Sequence, residues 1–189
     1  MSAQEQDADL VARARQGDAE AFGVLVARYQ RLLTSVAYGI LGDSGRTEDA
    51  VQDAFVSAWQ ALPQYRGEAN FRNWLCRILV NKAHSAHRWA RVRRWLSLDA
   101  PASEEGAAID PADPSAAADP ERGQLEQERD RQIREAVAGL PLKQRTAVLL
   151  RAGGLDVAAV AESMAVAEGT VKATLFQARA NLEKSLGKS

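Results

Sequence analysis

The sequence is short of the residues that build most chemical sites. Its 189 residues include one cysteine and two histidines, too few for a disulfide framework or a structural zinc site. Cys76 lies inside an apolar-periodic run and reads as a small buried hydrophobe of a reducing compartment. No apolar run approaches the roughly 20 residues that span a bilayer, and the start of the chain, residues 1–9, is polar and acidic. Alternating strand-like runs of useful length are lacking, as is any repeat at a solenoid period. There is no metal-ligand cluster, no Gly-rich phosphate loop and no nucleophile with a base partner. These absences predict a cytoplasmic protein without membrane insertion that is not an enzyme and needs neither cofactor nor metal.

What is present is apolar residues at helical spacing and charge in blocks. Hydrophobic residues make up 46% of the chain, enough for one ordinary core or two small ones. The totals, 24 Lys plus Arg against 25 Asp plus Glu, nearly cancel, but they are unevenly placed. Residues 66–95 carry eight basic side chains and one acidic one, whereas residues 99–121 carry seven acidic and no basic ones. The acidic stretch holds Pro101, Pro111, Pro114 and Pro120 among Ala, Ser and Gly, and has little apolar surface to bury. It reads as a flexible acidic linker over 97–122, between helical domains at 1–96 and 123–189. The fold class is therefore all-α, two small domains.

Local signals place the helices. Gly17-Asp18 stops a short helix and caps the next, whose apolar set runs Phe22, Leu25, Tyr29, Leu32, Leu33, Val36, Ile40. Residues 42–45, Gly-Asp-Ser-Gly, break it. A helix over about 47–61 puts Val51, Ala54, Phe55 and Ala58 on one side and Glu48, Asp49, Gln52, Asp53 and Gln60 largely on the other. Asn70 caps a long helix running toward Trp95. In the second domain Ile133 and Val137 are expected core residues, and Gly139-Leu140-Pro141 separates the first two helices. The spacing Val160, Ala161, Met164, Val166, Val171, Leu175 fits a helix-turn-helix, with small Ala161 where two helices cross steeply.

The last helix leaves Thr170, Lys172, Ala173, Phe176, Gln177 and Arg179 nearer solvent. Lys172 and Arg179 suit phosphates and Gln177 suits base edges, although an ordinary solvated face has the same composition. The long helix of the first domain offers Arg72, Arg77, Lys82, Arg88, Arg91, Arg93 and Arg94 beside Trp74, His84, Trp89 and Trp95. That mixture suits phosphate attraction and stacking on exposed bases, Trp74 being better placed for the core.

Two ordered motif sets resemble a known family. Glu48-Asp49-Ala50-Val51-Gln52-Asp53-Ala54-Phe55 with Trp59, then Phe71, Trp74-Leu75, Arg77-Ile78 and Asn81, is similar to region 2 of the extracytoplasmic-function (ECF) group of bacterial sigma-70-type transcription initiation factors. Leu140-Pro141, Arg145, Gly154-Leu155, Ala161-Glu162 and Gly169-Thr170-Val171-Lys172 resemble their region 4. The resemblance spans nearly everything but the linker. It implies a factor that binds core RNA polymerase through the beta and beta-prime subunits, directs it to promoters and assists melting. Glu48, Asp49, Gln52, Asp53 and Trp59 would dock on the polymerase clamp. Tyr65, Arg66 and Asn70 would capture a flipped base of the minus ten element, and Asn81, Arg88 and Arg91 would hold the separated strand. Thr170, Lys172, Ala173, Gln177 and Arg179 would read the minus thirty-five duplex, with Lys143 and Arg145 on phosphates. Promoter DNA, duplex and single-stranded, and an anti-sigma factor are the further partners implied.

One departure is that Ala165 stands where Gly is usual in the turn, which an L-residue tolerates only if the backbone avoids left-handed geometry. The competing reading is a conventional helix-turn-helix regulator. It accounts for the second domain and leaves the basic, Trp-containing helix unexplained.

Overall fold

Helices form wherever apolar residues recur at helical spacing, and each boundary has a local cause. The computed structural model describes residues 3–67, 70–96 and 120–187, and no strand occurs among them. Helix α1 covers Ala3–Arg15 and α2 covers Ala19–Leu41. Asp18 caps α2 by accepting from the Ala21 amide at 3.0 Å, and Gly42, left-handed at φ 64°, ends it. Helix α3, Ser44–Ala61, is capped by Asp43, which accepts from the Arg46 amide at 2.7 Å. The break expected over four residues is thus confined to Gly42 and Asp43; Ser44 and Gly45 are already helical. A 3-10 turn, Leu62–Gln64, carries Pro63. Asn70 accepts from the Arg72 amide at 2.9 Å and opens α4, Phe71–Leu96.

Helix α5, Pro120–Ala138, begins inside the stretch expected as linker, with proline at the helix start, where its missing amide costs nothing. Residues 97–119 lie outside the described part. Then follow α6, Leu142–Ala152, α7, Val157–Met164, and α8, Glu168–Leu186. Ile133, expected in the core, is 44% exposed, and Ala136 takes the buried position on α5 instead.

Helices α1, α3 and α4 surround α2, and Leu25, Leu33 and Ile40 of α2 share one core with Leu75 and Leu79 of α4, all fully buried. Buried Asp7 accepts from the Tyr29 hydroxyl and the Arg28 guanidinium, fastening α1 to α2. Burial and that carboxylate push the Tyr29 phenol well above its usual range. In the second half Leu150, Leu155, Val160 and Val171 fill the space between α6, α7 and α8. The two cores are continuous: α6 packs on α2, and α7 lies on α4.

Candidate nucleic-acid and polymerase interfaces

Three surfaces gather the residues singled out by sequence. The first is the outer side of α3. Glu48, Asp49, Gln52 and Asp53 are all exposed, because the helix turns its small residues Ala50, Ala54 and Ala58 inward against α2 and α4. Trp59 is half-buried, its ring 5.0 Å from that of Phe22, so it joins this face by an edge. Val56, 49% exposed, follows Gln52 and Asp53 at helical spacing and adds an apolar centre to an acidic surface.

The second surface is the end and flank of α4. Tyr65 does not project as a free ring: it is 9% exposed, with centroid distances of 4.9 Å to Trp74 and 6.0 Å to Phe71. Phe71 also meets Tyr29 at 5.9 Å, so an aromatic cluster supports the turn before α4. Burial, with smaller contributions from Glu162 and Asp7, raises the Tyr65 phenol. Arg66 is exposed, and Asn70 spends its side-chain oxygen on the helix cap. Along α4, Arg77, Asn81 and Arg88 are exposed and share one side, being four and eleven residues on from the first. Trp89 is 66% exposed beside them. The side chain of Arg91 lies outside the described part.

The third surface is α8. Asp156 caps α7 by accepting from the Ala159 amide at 2.7 Å, and Ala161 of α7 and Val171 of α8 are both buried where the two helices pack, which holds α8 against α7. The turn corrects an expectation: Ala165 is left-handed, φ 53° and ψ 48°. Two backbone bonds enforce this, from the Ala165 amide to Glu162 at 3.2 Å and from the Val166 amide to Ala161 at 3.0 Å. Thr170, Lys172, Ala173, Gln177 and Arg179 all face solvent, Arg179 bonded to Glu183 at 2.8 Å. Ala167 supplies no side-chain cap, which leaves amides at the start of α8 available to an anion. Lys143 is exposed on α6. Arg145 is not on that surface. Its guanidinium donates to the carbonyls of Leu140 at 3.1 Å, Ile40 at 3.2 Å and Ala138, and its Nε is buried without a partner. It clamps the C-terminal ends of α2 and α5, with burial lowering its pKa.

The blocks that carry these surfaces have counterparts among known proteins. Residues 25–93 match Sigma-70 region 2 and residues 130–182 match Sigma-70, region 4. The ECF RNA polymerase sigma-E factor of Escherichia coli is 34% identical over 192 residues, which cover 98% of this chain and 97% of that one. The chain belongs to the ECF group of sigma-70-type sigma factors. The RNA polymerase sigma-H factor of Pseudomonas aeruginosa is 35% identical, over 98% of this sigma factor and 96% of that one. A solved structure of CnrH in complex with the cytosolic domain of CnrY superposes with a TM-score of 0.71 at 27% identity, covering 97% and 99% of the two chains. The same fold recurs, at 24% identity and a TM-score of 0.67, in RpoE bound to the anti-sigma factor NepR from Bartonella quintana, which covers 88% of this chain.

The protein is thus a transcription initiation factor, and its surfaces divide between region 2, with α3 and α4, and region 4, with α8. Val56 in region 2 of this sigma factor fell outside the expected docking set, and Phe176 in region 4, expected nearer solvent but not in the duplex-reading set, is 76% exposed. Helical spacing from Asp53 and Lys172 was the available signal for both. Among the described residues no group of three or more His, Cys, Asp or Glu could hold a metal ion, and no helix is long and apolar enough to cross a membrane.

Proposed function

We propose that domain 1–96 docks on the polymerase clamp through Glu48, Asp49, Gln52, Asp53, Val56 and Trp59, and holds the opened minus ten strand along Arg77, Asn81, Arg88 and Arg91. Domain 123–189 reads the minus thirty-five duplex with Thr170, Lys172, Ala173, Phe176, Gln177 and Arg179, and Lys143 meets a phosphate. The acidic α3 face complements a basic docking surface on the enzyme. The cationic α4 strip attracts phosphates whatever their sequence, and α8 supplies both base-reading and phosphate-binding side chains. The observation that carries the reading is the simultaneous exposure, on one chain, of the α3 acidic face, the α4 cationic strip and the α8 face.

The factor works in the cytoplasm and contributes binding energy rather than bond-making. Polymerase supplies the chemistry and sets the distance between the two domains. An anti-sigma factor restrains the free chain, a partner of the kind that NepR is for RpoE from Bartonella quintana. Arg145 belongs to the scaffold of this reading, and Tyr65 acts by supporting the loop that receives the flipped base.

Run-off transcription with core polymerase over a promoter library tests the assignment. Start-site-specific transcripts are expected. Stable operator binding by the isolated chain, with no transcript when polymerase is added, would replace the reading with that of a conventional regulator. Lys172→Ala is expected to weaken promoter binding across sequences and reduce the salt slope by about 1, whereas Gln177→Ala changes sequence preference.

A further inference from the structure

Asp7 is the one buried carboxylate among the described residues, and none of the three surfaces uses it. An acidic side chain is almost never buried without partners, and this one accepts from the Tyr29 hydroxyl and the Arg28 guanidinium. The partners differ in what they would lose. Arg28 reaches solvent, its side chain being 30% exposed, so water can hydrate its charge if the carboxylate is removed. Tyr29 is buried, and its hydroxyl would be left without that acceptor. Helix α1, thirteen residues long, is marginal on its own and stays in place through Asp7 together with Leu10, Val11 and Ala14.

The contacts continue from Tyr29 to the loop before α4. The Tyr29 ring lies 5.9 Å from that of Phe71, the first residue of α4, and Phe71 meets Trp74 at 5.6 Å and Tyr65 edge-on at 6.0 Å. Helix α1 also packs on the 3-10 turn Leu62–Gln64, to which the Tyr65 amide is tied by donating to the Leu62 carbonyl at 3.1 Å. Asp7 is close enough to Tyr65 for its charge to help raise that phenol. Both ends of the loop therefore stand on one cluster, Tyr65 inside it and Asn70 next to Phe71, capping α4. Closely packed rings have few alternative arrangements, so a new tilt of Tyr29 must be taken up by Phe71 and Tyr65.

Resting on the reading of this loop as the receiver of the flipped base, we propose that Asp7 is a positioning residue for promoter opening. By holding the Tyr29 hydroxyl and Arg28 it seats α1 and fixes the Tyr29–Phe71–Tyr65 stack on which the loop is built. Asp7 touches neither DNA nor polymerase. Its removal loosens the receiving loop and leaves the α3 and α8 faces as they are, so opening suffers and the initial encounter with the promoter does not. A route through packed side chains is established by measured coupling between its members, which a double-mutant cycle supplies.

The test uses the full chain with core polymerase on a fluorescein-labelled promoter duplex obtained by run-off selection. Anisotropy at low temperature reads closed-complex affinity, and permanganate reactivity of thymines in the minus ten element reads opening. Asp7→Ala is expected to lower the ratio of open to closed complexes at least about fivefold, the worth of one buried hydrogen bond, with closed-complex affinity within about twofold of wild type. Tyr29→Phe keeps the ring and removes only the hydroxyl; it is expected to lower the ratio about threefold, and it serves if Asp7→Ala unfolds the chain. The double variant should open no worse than Asp7→Ala alone, because the two changes break one bond. Asp7→Asn retains an oxygen for the Tyr29 hydroxyl and should recover opening to within about twofold of wild type. Val36→Ala, in the core two turns along α2 from Tyr29, controls for lost stability and should open normally at a matched urea midpoint. Normal opening in both Asp7→Ala and Tyr29→Phe, equal loss in Val36→Ala, or effects of the two changes that multiply in the double variant overturns the positioning role. Arg66→Ala, inside the loop, separates the two ideas. Impaired opening there beside normal opening in Asp7→Ala removes the role of Asp7 alone, whereas wild-type opening in Arg66→Ala removes the loop assignment and the role of Asp7 with it.

Discussion

Replacing Ala165 with glycine should stabilise this protein, although glycine is among the poorest helix formers and the site adjoins two helices. Ala165 holds φ 53°, where its Cβ crowds the neighbouring carbonyl at a cost of roughly 1–2 kcal/mol. Glycine removes that crowding and adds unfolded-state freedom worth about 0.4–1 kcal/mol in the other direction. The side chain is exposed, so no packing is lost, and the amides of residues 165 and 166 keep their bonds to Glu162 and Ala161. The net expectation is a gain of about 0.5–1 kcal/mol, or roughly 1–4 °C in melting temperature for a chain of this size. Thermal unfolding followed by helical circular dichroism measures it, with Ala180→Gly, exposed on α8, as the control. The control makes the same chemical change at an ordinary helical position and should lose about 1 kcal/mol. If Ala165→Gly melts at or below the wild type while Ala180→Gly behaves as stated, the left-handed turn is not strained and the reasoning fails.

Burial, reinforced by Arg88, His87 and Lys143, holds the His84 imidazole below its ordinary 6.5 in the folded chain. The unfolded chain takes up the extra proton first, so folded stability is complete above about pH 6.5 and declines as pH falls below it; urea midpoints of His84→Gln should lack that decline. Tyr65→Ala should destabilise region 2 by roughly 3 kcal/mol, through lost packing on Phe71 and Trp74, while Tyr65→Phe costs far less; equal urea midpoints for the two would place the ring outside the cluster. Arg145→Ala should cost roughly 1–3 kcal/mol in denaturant, because three carbonyls lose a charged donor; a stability-neutral variant with weakened DNA binding would move Arg145 back to the phosphate-facing set.

Sequence legibility followed the range of each interaction. Asp18 and Asn70 were readable as caps because the partner amide lies two or three residues away, and apolar spacing alone put Leu33, Leu79 and Val171 inside. The exposed α3 and α8 faces follow from the same periodicity read from outside. Long side chains were harder. Arg145 reads as a solvent cation until three carbonyls from two other helix ends converge on it, and Tyr65 reads as a free ring until Phe71 and Trp74 close around it. Ile133 misled in the opposite direction, since α5 buries a smaller residue, Ala136, and leaves the isoleucine half-exposed.

The least legible feature is the seam between regions 2 and 4, and its chemistry explains why. Glycines 39 and 153 matter there by the absence of a side chain, which no hydrophobic or charge pattern records, and their partners Leu149 and Leu32 lie more than 100 residues away in the chain. Three of the polar contacts across it use backbone carbonyls, those of Gly153, Asn73 and Ile40, groups that every residue carries. Composition predicted two domains with separate work, whereas the cores of the two halves run together where α6 meets α2 and α7 meets α4. Side-chain chemistry specifies the exposed faces, whereas the seam depends on how closely two backbones can approach.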